Sequence, residues 1–499
     1  MQNLLIFTLF SLLVVNTTSA SELCDSGKAT TMDIVVNTNH VTRAAVPPQL
    51  FGFNMPWHAF QLGLQESGVV KPALIDWLKP FKGALYRYPG GSPSNEFDWK
   101  NSIKPIAERQ AMHYEYNQEY IPEFGYAEFL SFLQQVNGRA VVTLNMVGPR
   151  FQASSPEEVG VDAVQFVNWM QNESSARCVG IANCPIQYLE LGNELDWSHS
   201  WTGEMYSTRA NHVIAAVGDK VPAKSWIANG KTAPWDNPAN FKREHFDQFN
   251  KAVAAKLPTN IENIAYHPYY DGITVPNATQ YSDAYYAVWK ARRKSAAVIV
   301  TEHARWPSKP LVGPWNDRWY EATGQGGAIS SADYILSVLP DEKIRGATWH
   351  SLGVLGPWQL IRWDKKENTL YPSPVYWGMR TLRDAFLTDT LEISPAIQTG
   401  GGYRGGYSMR LVAMQGDGKL SLLGINRSNR PVMINTNWLG KLSTGSTITM
   451  RYTSALPEID NDDTNKTRVV MKTTQLKGPN TATKLSICVP ANAVFSVIF

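Results

Sequence analysis

Ile186-Gln187-Tyr188-Leu189-Glu190-Leu191-Gly192-Asn193-Glu194 is the stretch on which the fold turns. Its side chains stay mostly apolar through Leu191, as a strand covered on both faces requires. It then breaks at a glycine and closes on an amide and a carboxylate. Runs of the same texture recur at 49–54, 84–88 and 140–145 before it, and at 225–229, 261–267, 297–302 and 346–351 after it. Helical spacing fills the gaps. Tyr126, Phe129, Leu130, Leu133 and Val136 keep one apolar face, as do Val159, Ala163, Phe166, Val167 and Met170. Strand and helix alternating over residues 47–385 predict an α/β fold, a (β/α)8 TIM barrel with enlarged loops. An open doubly wound sheet is the alternative. It would favour a glycine-rich phosphate turn after an early strand, and no GxGxxG or Walker motif is present.

Outward from the barrel the texture changes. Residues 386–499 alternate short apolar runs with Gly- and Ser-rich turns, which predicts an appended C-terminal β-sandwich. In the N-terminal segment 21–46, Met32-Asp33-Ile34-Val35-Val36 reads as a strand joining that sandwich. Residues 1–20 read as a signal peptide: an apolar run over 4–15, too short to span a bilayer, then Thr18-Ser19-Ala20 at a cleavage site. The expected location is secreted or periplasmic, with no membrane contact after signal removal. Cys24, Cys178, Cys184 and Cys488 then fit two disulfides, a local Cys178–Cys184 bridge and a Cys24–Cys488 bridge between the chain ends. A zinc site is the rival, without CxxC or HxxxH spacing to support it. Sequons stand at Asn172, Asn277, Asn426 and Asn465, for use in a eukaryotic host.

Across 499 residues, 46 Lys+Arg against 43 Asp+Glu leave a net charge of +3, too balanced for a nucleic-acid footprint. The 17 Trp, 21 Tyr and 18 Phe fit a carbohydrate cleft as well as a core.

Active sites of barrels sit at the C-terminal ends of the strands. Strand two ends in Arg87-Tyr88-Pro89-Gly90-Gly91, strand three at Asn145, strand six in His267-Pro268-Tyr269 and strand seven in Thr301-Glu302-His303; strand eight holds Trp349 and His350. Glu194 and Glu302 close two apolar strands, where an unused carboxylate is costly. Converging from strands four and seven, they form the pair that glycoside hydrolysis needs: one to protonate the leaving oxygen, one to attack the anomeric carbon. Arg87 is placed to hold the nucleophile ionised and Tyr269 to orient it. Two structural ion pairs are the bland alternative.

The ordered set resembles the retaining glycoside hydrolases of clan A, (β/α)8 barrels with an Arg after strand two, Asn-Glu after strand four, His-x-Tyr after strand six, Glu after strand seven and Trp on strand eight. Here these fall on Arg87, Asn193-Glu194, His267 and Tyr269, Glu302 and Trp349. The resemblance implies Glu194 as acid/base, Glu302 as nucleophile and Asn193 as partner of the sugar 2-hydroxyl. Within the clan the chain looks nearest to the α-L-arabinofuranosidase family, family 51. Residues 87–91 with Asp98-Trp99 and Glu108-Arg109 resemble its RYPGGN…W…R region, Gly192-Asn193-Glu194-Leu195-Asp196 its GNEMD, and Asn145 falls where it too has an Asn. Ser92, His303-Ala304-Arg305-Trp306 and Trp197-Ser198-His199 depart from that pattern. The β-xylosidase and the uronidase and heparanase-like families share the frame.

Trp57, Trp99, Trp197, Trp201, Trp306 and Trp358 fall in or beside the strand-end loops, where sugar faces stack on indoles; each alone also suits a core. His58 and His303 suit a hydroxyl contact or an ordinary loop, and Arg305 an acidic sugar or an ion pair. No cofactor or metal is expected. The reading is a secreted retaining glycosidase acting on polysaccharide or oligosaccharide, arabinofuranoside first, then β-linked hexose or xylose chains, then a uronide. Oligomeric state is not legible. A non-catalytic carbohydrate-binding protein is the rival class, disfavoured because binding alone needs no carboxylate pair.

Overall fold

The computed structural model describes residues 24, 29–114, 118–148, 154–172, 185–232, 243–270, 275–353, 356–402, 406–440, 448–476 and 483–499. Residues 1–20 and the Cys178–Cys184 pairing lie outside these.

The eight barrel strands are β1 (Gly52–Asn54), β2 (Leu85–Tyr88), β3 (Arg139–Thr143), β4 (Ile186–Glu190), β5 (Trp226–Asn229), β6 (Asn263–Ala265), β7 (Ala297–Arg305) and β8 (Ile344–His350). The principal helices that follow them are α1 (Pro72–Leu78), α2 (Tyr126–Val136), α3 (Pro156–Asn172), α4 (Gly203–Val217), α5 (Arg243–Lys256), α6 (Val275–Lys290), α7 (Gln325–Val338) and α8 (Pro374–Arg383). Every neighbouring pair of barrel strands is parallel, and β8 returns to β1 through Thr348 opposite Gly52, so the sheet closes. The (β/α)8 expectation is met.

Side-chain alternation sorts the strands into an interior and a helix-facing side. Leu85, Val141, Ile227, Ala265 and Ile299 fill the interior with an apolar plug. Two residues further along their strands the interior turns polar: Arg87, Thr143, His267 and Thr301 stand one layer up, with Glu190 from β4. The plug lies beneath this polar layer, on the side away from the C-terminal mouth.

One irregularity decides the chemistry. Between Val300 and His303 β7 advances three residues while β8 advances two, from Ala347 to Trp349. This is a β-bulge, which breaks strict alternation. Thr301 and Glu302 therefore both reach the interior groups, and His303 turns the other way.

Beyond the barrel, a ten-stranded sheet folds so that strands at both ends of its path share one core, including Ile34, Leu411, Ile434, Ile448, Ile487 and Phe495. Strand Thr30–Arg43 lies inside it, parallel to Val432–Leu439 and antiparallel to Asp389–Ser394. A Cys24–Cys488 disulfide fastens the start of the described chain to strand Lys484–Val489. α7 and α8 bridge to this sheet: Gln325 Nε2 donates to Asn492 O (2.8 Å) and Ser496 Oγ to Thr381 O (2.7 Å). Asn426 is buried, its amide donating to Arg430 O and Pro490 O, so that sequon is closed in the folded protein.

Candidate active site

Arg87 is the hub. Wholly buried, its guanidinium donates to Glu190 Oε2 (2.6 Å), Glu302 Oε1 (2.7 Å), Asn193 Oδ1 (2.8 Å) and Asn54 Oδ1 (3.3 Å). Burial disfavours its charge, but the two carboxylates outweigh that and raise its pKa. A planar fork with five donors suits four acceptors where a lysine would not.

Glu302 also accepts from Tyr269 Oη (2.8 Å) on its other oxygen, and from Asn54 Nδ2 (3.2 Å). Burial pushes against its charge. The His350 and His267 rings, Arg87 and the Tyr269 hydroxyl pull harder and hold it at about 2. It is an ionised, oriented carboxylate, the condition of a nucleophile.

Glu194 is built differently. It begins the short helix Leu195–Ser198 with φ 43°, a left-handed conformation that is uncommon for a residue with a Cβ. Asn95 clamps the preceding backbone from both sides, accepting from Asn193 N (3.0 Å) and donating to Asn193 O (2.7 Å). Glu194 Oε1 lies 2.7 Å from His267 Nδ1. Burial raises its pKa, opposed by His267 and supported by the charges of Glu302 and Asp196. Two carboxylates whose pKa values are pushed in opposite directions are an arrangement in which one can serve as an acid and the other as a nucleophile. Oxygens of Glu194 and Glu302, with a nitrogen of His267, all lie within 4.8 Å of one another. Three such atoms are also a metal-ligand set, but the Arg87 charge 2.7 Å from Glu302 repels a cation there.

Asn193 spends its oxygen on Arg87, while its Nδ2, buried, has no hydrogen-bond partner among the described residues. A donor held beside the carboxylate pair is free for a substrate hydroxyl. Gly90 is required by close approach: at φ 52° a Cβ there would collide with Asn54 Oδ1.

Several sequence candidates are placed elsewhere. Trp349 faces α7, donating through Nε1 to Ser331 Oγ (3.0 Å), because the inward positions of β8 are Thr348 and His350. His350 takes the cleft place instead, its Nδ1 2.7 Å from Asn54 Nδ2 and 3.7 Å from Glu302 Oε2. The bulge turns His303 outward onto Tyr270 Oη (3.0 Å) and the Tyr334 ring, where burial lowers its pKa to about 3. Trp57 is fully buried against Phe97, so no sugar face reaches it. Asn145 caps its own loop, its oxygen accepting from Val147 N and Gly148 N. Arg305 is buried, 3.9 Å from Glu321. Trp197, 58% exposed, stands at the rim one turn after Glu194. Trp306 and Trp358 line the Tyr269 side, with ring centroids 5.4 and 5.5 Å from it.

Sequence reasoning left out Asn54, Asn95, Glu190 and Thr301. Glu190 carried a signal, a carboxylate inside an apolar strand four residues before Glu194, which demands a partner.

A family profile described as Alpha-L-arabinofuranosidase 1 domain matches residues 77–294. The chain is similar to the family 51 α-L-arabinofuranosidases. The resemblance seen in residues 87–91 and 192–196 is thereby borne out. An intracellular exo-alpha-(1->5)-L-arabinofuranosidase of Bifidobacterium longum is 24% identical over 273 residues, which span 51% of this chain and 46% of that protein. The match thus covers about half of that relative's length. Among solved structures, AbfB, a family 51 arabinofuranosidase of Bifidobacterium longum, superposes with a TM-score of 0.74 at 17% identity, covering 94% of this chain and 99% of the other. The GH51 arabinofuranosidase of Thermotoga petrophila gives 0.73 at 15% identity over the same shares. At such identities the superpositions establish a shared fold.

Proposed function

We propose that the protein is an exported retaining glycoside hydrolase of arabinofuranosidase type. The observation that carries this reading is the Glu194/Glu302 pair, with carboxylate oxygens within 4.8 Å and pKa values pushed in opposite directions, Glu194 up and Glu302 down. Retaining enzymes keep their carboxyl groups about 5–5.5 Å apart, while inverting ones leave room for a water between. Glu302 attacks the anomeric carbon as Glu194 gives its proton to the departing glycosidic oxygen. The glycosyl ester on Glu302 is then opened by a water whose proton returns to Glu194. Asn193 Nδ2 is available to the sugar 2-hydroxyl throughout.

Among sugars the α-L-arabinofuranoside comes first, supported by the family profile. The uronide falls back, because Arg305 is buried and already faces a carboxylate of the protein, Glu321. Aryl α-L-arabinofuranoside, β-xyloside, β-glucoside and β-glucuronide assayed at equal concentration should rank by kcat/KM in that order. Proton NMR of methanolysis should show the anomeric configuration retained. An inverted product would overturn the mechanism, and activity confined to the glucuronide the sugar.

Export is supported by the apolar run over 4–15, the small residues at 18–20 and the Cys24–Cys488 disulfide, a bond that persists in oxidising compartments. N-terminal sequencing of the protein from culture medium should begin near residue 21. Retention in the cytoplasm with residues 1–20 attached would refute it.

A further inference from the structure

A chain of hydrogen bonds runs behind the catalytic pair. His267 Nε2 lies 2.7 Å from Thr301 Oγ1, and Thr301 Oγ1 donates to Glu190 Oε1 (2.6 Å). Glu190 is wholly buried, and its other oxygen takes Arg87 Nε (2.6 Å) and Thr143 Oγ1 (2.8 Å). Arg87 continues to Glu302. The Glu194–His267–Thr301–Glu190–Arg87–Glu302 path links both carboxylates.

The direction of each bond follows from proton counting. A hydroxyl has one proton to give. Glu190, as the carboxylate paired with Arg87, can only accept, so that proton is committed to it. Thr301 Oγ1 must then accept from His267, and Nε2 must carry hydrogen. We propose that Thr301, backed by Glu190, is a positioning residue that fixes His267 as the Nε2–H form, so that Glu194 and His267 share one titrating proton on the Oε1–Nδ1 line. This rests on the reading of Glu194 as the proton donor.

The consequence is directional. When the shared proton leaves, Glu194 becomes a carboxylate facing a bare Nδ1 lone pair. Relief would need the ring to move its hydrogen to Nδ1, which would leave Nε2 bare and pull the Thr301 proton off Glu190, whose Oε1 has no other partner in the network described. The deprotonated state is therefore penalised, and the acid keeps its proton to higher pH. The charged and titrating groups that also face the ring are Arg87 from β2, Glu190 from β4, Glu302 from β7 and His350 from β8; all four remain in the variants below.

Thr301→Val keeps the shape and removes the hydroxyl. The neutral ring can then adopt Nδ1–H and donate to the Glu194 carboxylate. Losing the penalty is worth a charge-assisted hydrogen bond, so the alkaline limb of kcat/KM should fall by about one to two pH units. The fall should show on aryl arabinofuranosides with poor leaving groups and be restored by Thr301→Ser. A Val profile that superposes on the wild type, or a limb that moves upward, overturns the proposal. Should the Val variant not fold, 15N NMR of the wild-type protein decides, with the His267 ring assigned by its loss in His267→Phe. Nε2 should stay protonated on both sides of the limb; Nδ1–H with bare Nε2 above it overturns the proposal. This reading of the ring is independent of turnover, so it stands or falls separately from the assignment of Glu194, which leaving-group dependence tests.

Discussion

Glu302→Gln should lose turnover on every glycoside by about four orders of magnitude or more, as when a covalent nucleophile is removed. The amide is nearly the same size, and its oxygen can still face Arg87. Substrate binding should therefore persist. Arg87 also keeps Glu190, so the hub is not left without a counter-charge. The signature is a collapse of kcat with dissociation constants, measured by calorimetry on an oligosaccharide, changed only severalfold. Above about one per cent residual activity, with the variant's purity confirmed by mass spectrometry, Glu302 would not be the nucleophile.

The second large effect is a split rather than a collapse. Glu194→Ala removes the proposed proton donor, a contribution of about 10²–10⁴. Substrates whose leaving group needs no proton, such as dinitrophenyl glycosides, should still form the glycosyl ester, which then hydrolyses slowly for want of a base. A burst followed by a slow steady state is expected. Azide, which needs no base, should speed the slow phase and give a glycosyl azide of retained configuration. If the Glu302 variant instead gives the azide of retained configuration, and any azide formed by the Glu194 variant is inverted, the two roles are exchanged.

How far this site could be read beforehand follows from what each residue depends on. Arg87, Glu194 and Glu302 stand where an apolar run meets a polar residue, and that boundary is written locally. His267 and Tyr269 follow from the same rule. Trp349 and His350 are adjacent, and choosing between them needs the strand's parity, which β1 and β7 set by pairing. His303 is harder. Plain alternation from Ile299 would turn Thr301 and His303 inward and Glu302 outward. The bulge that reverses this arises between two strands and leaves no local mark. Asn145 and Trp57 have the right types at the right ends of strands, but one is spent on its own loop and the other on the core. Glu190 was legible as an anomaly whose partner only the closed barrel supplies.

Strand Thr30–Arg43 has a consequence for how the protein is made. Both of its neighbours, Asp389–Ser394 and Val432–Leu439, are encoded near the far end of the chain. At about 5–20 residues per second, synthesis leaves its two edges bare for tens of seconds. The barrel strands, 52–350, emerge first and can close in the interval, since their pairings are all among themselves. An early strand with Met32, Ile34 and Val36 on one face and no partner is an invitation to foreign pairing. Holding it extended until the end of translation is then a task for whatever receives the nascent chain, and one of the first strands to be made is among the last to find its place.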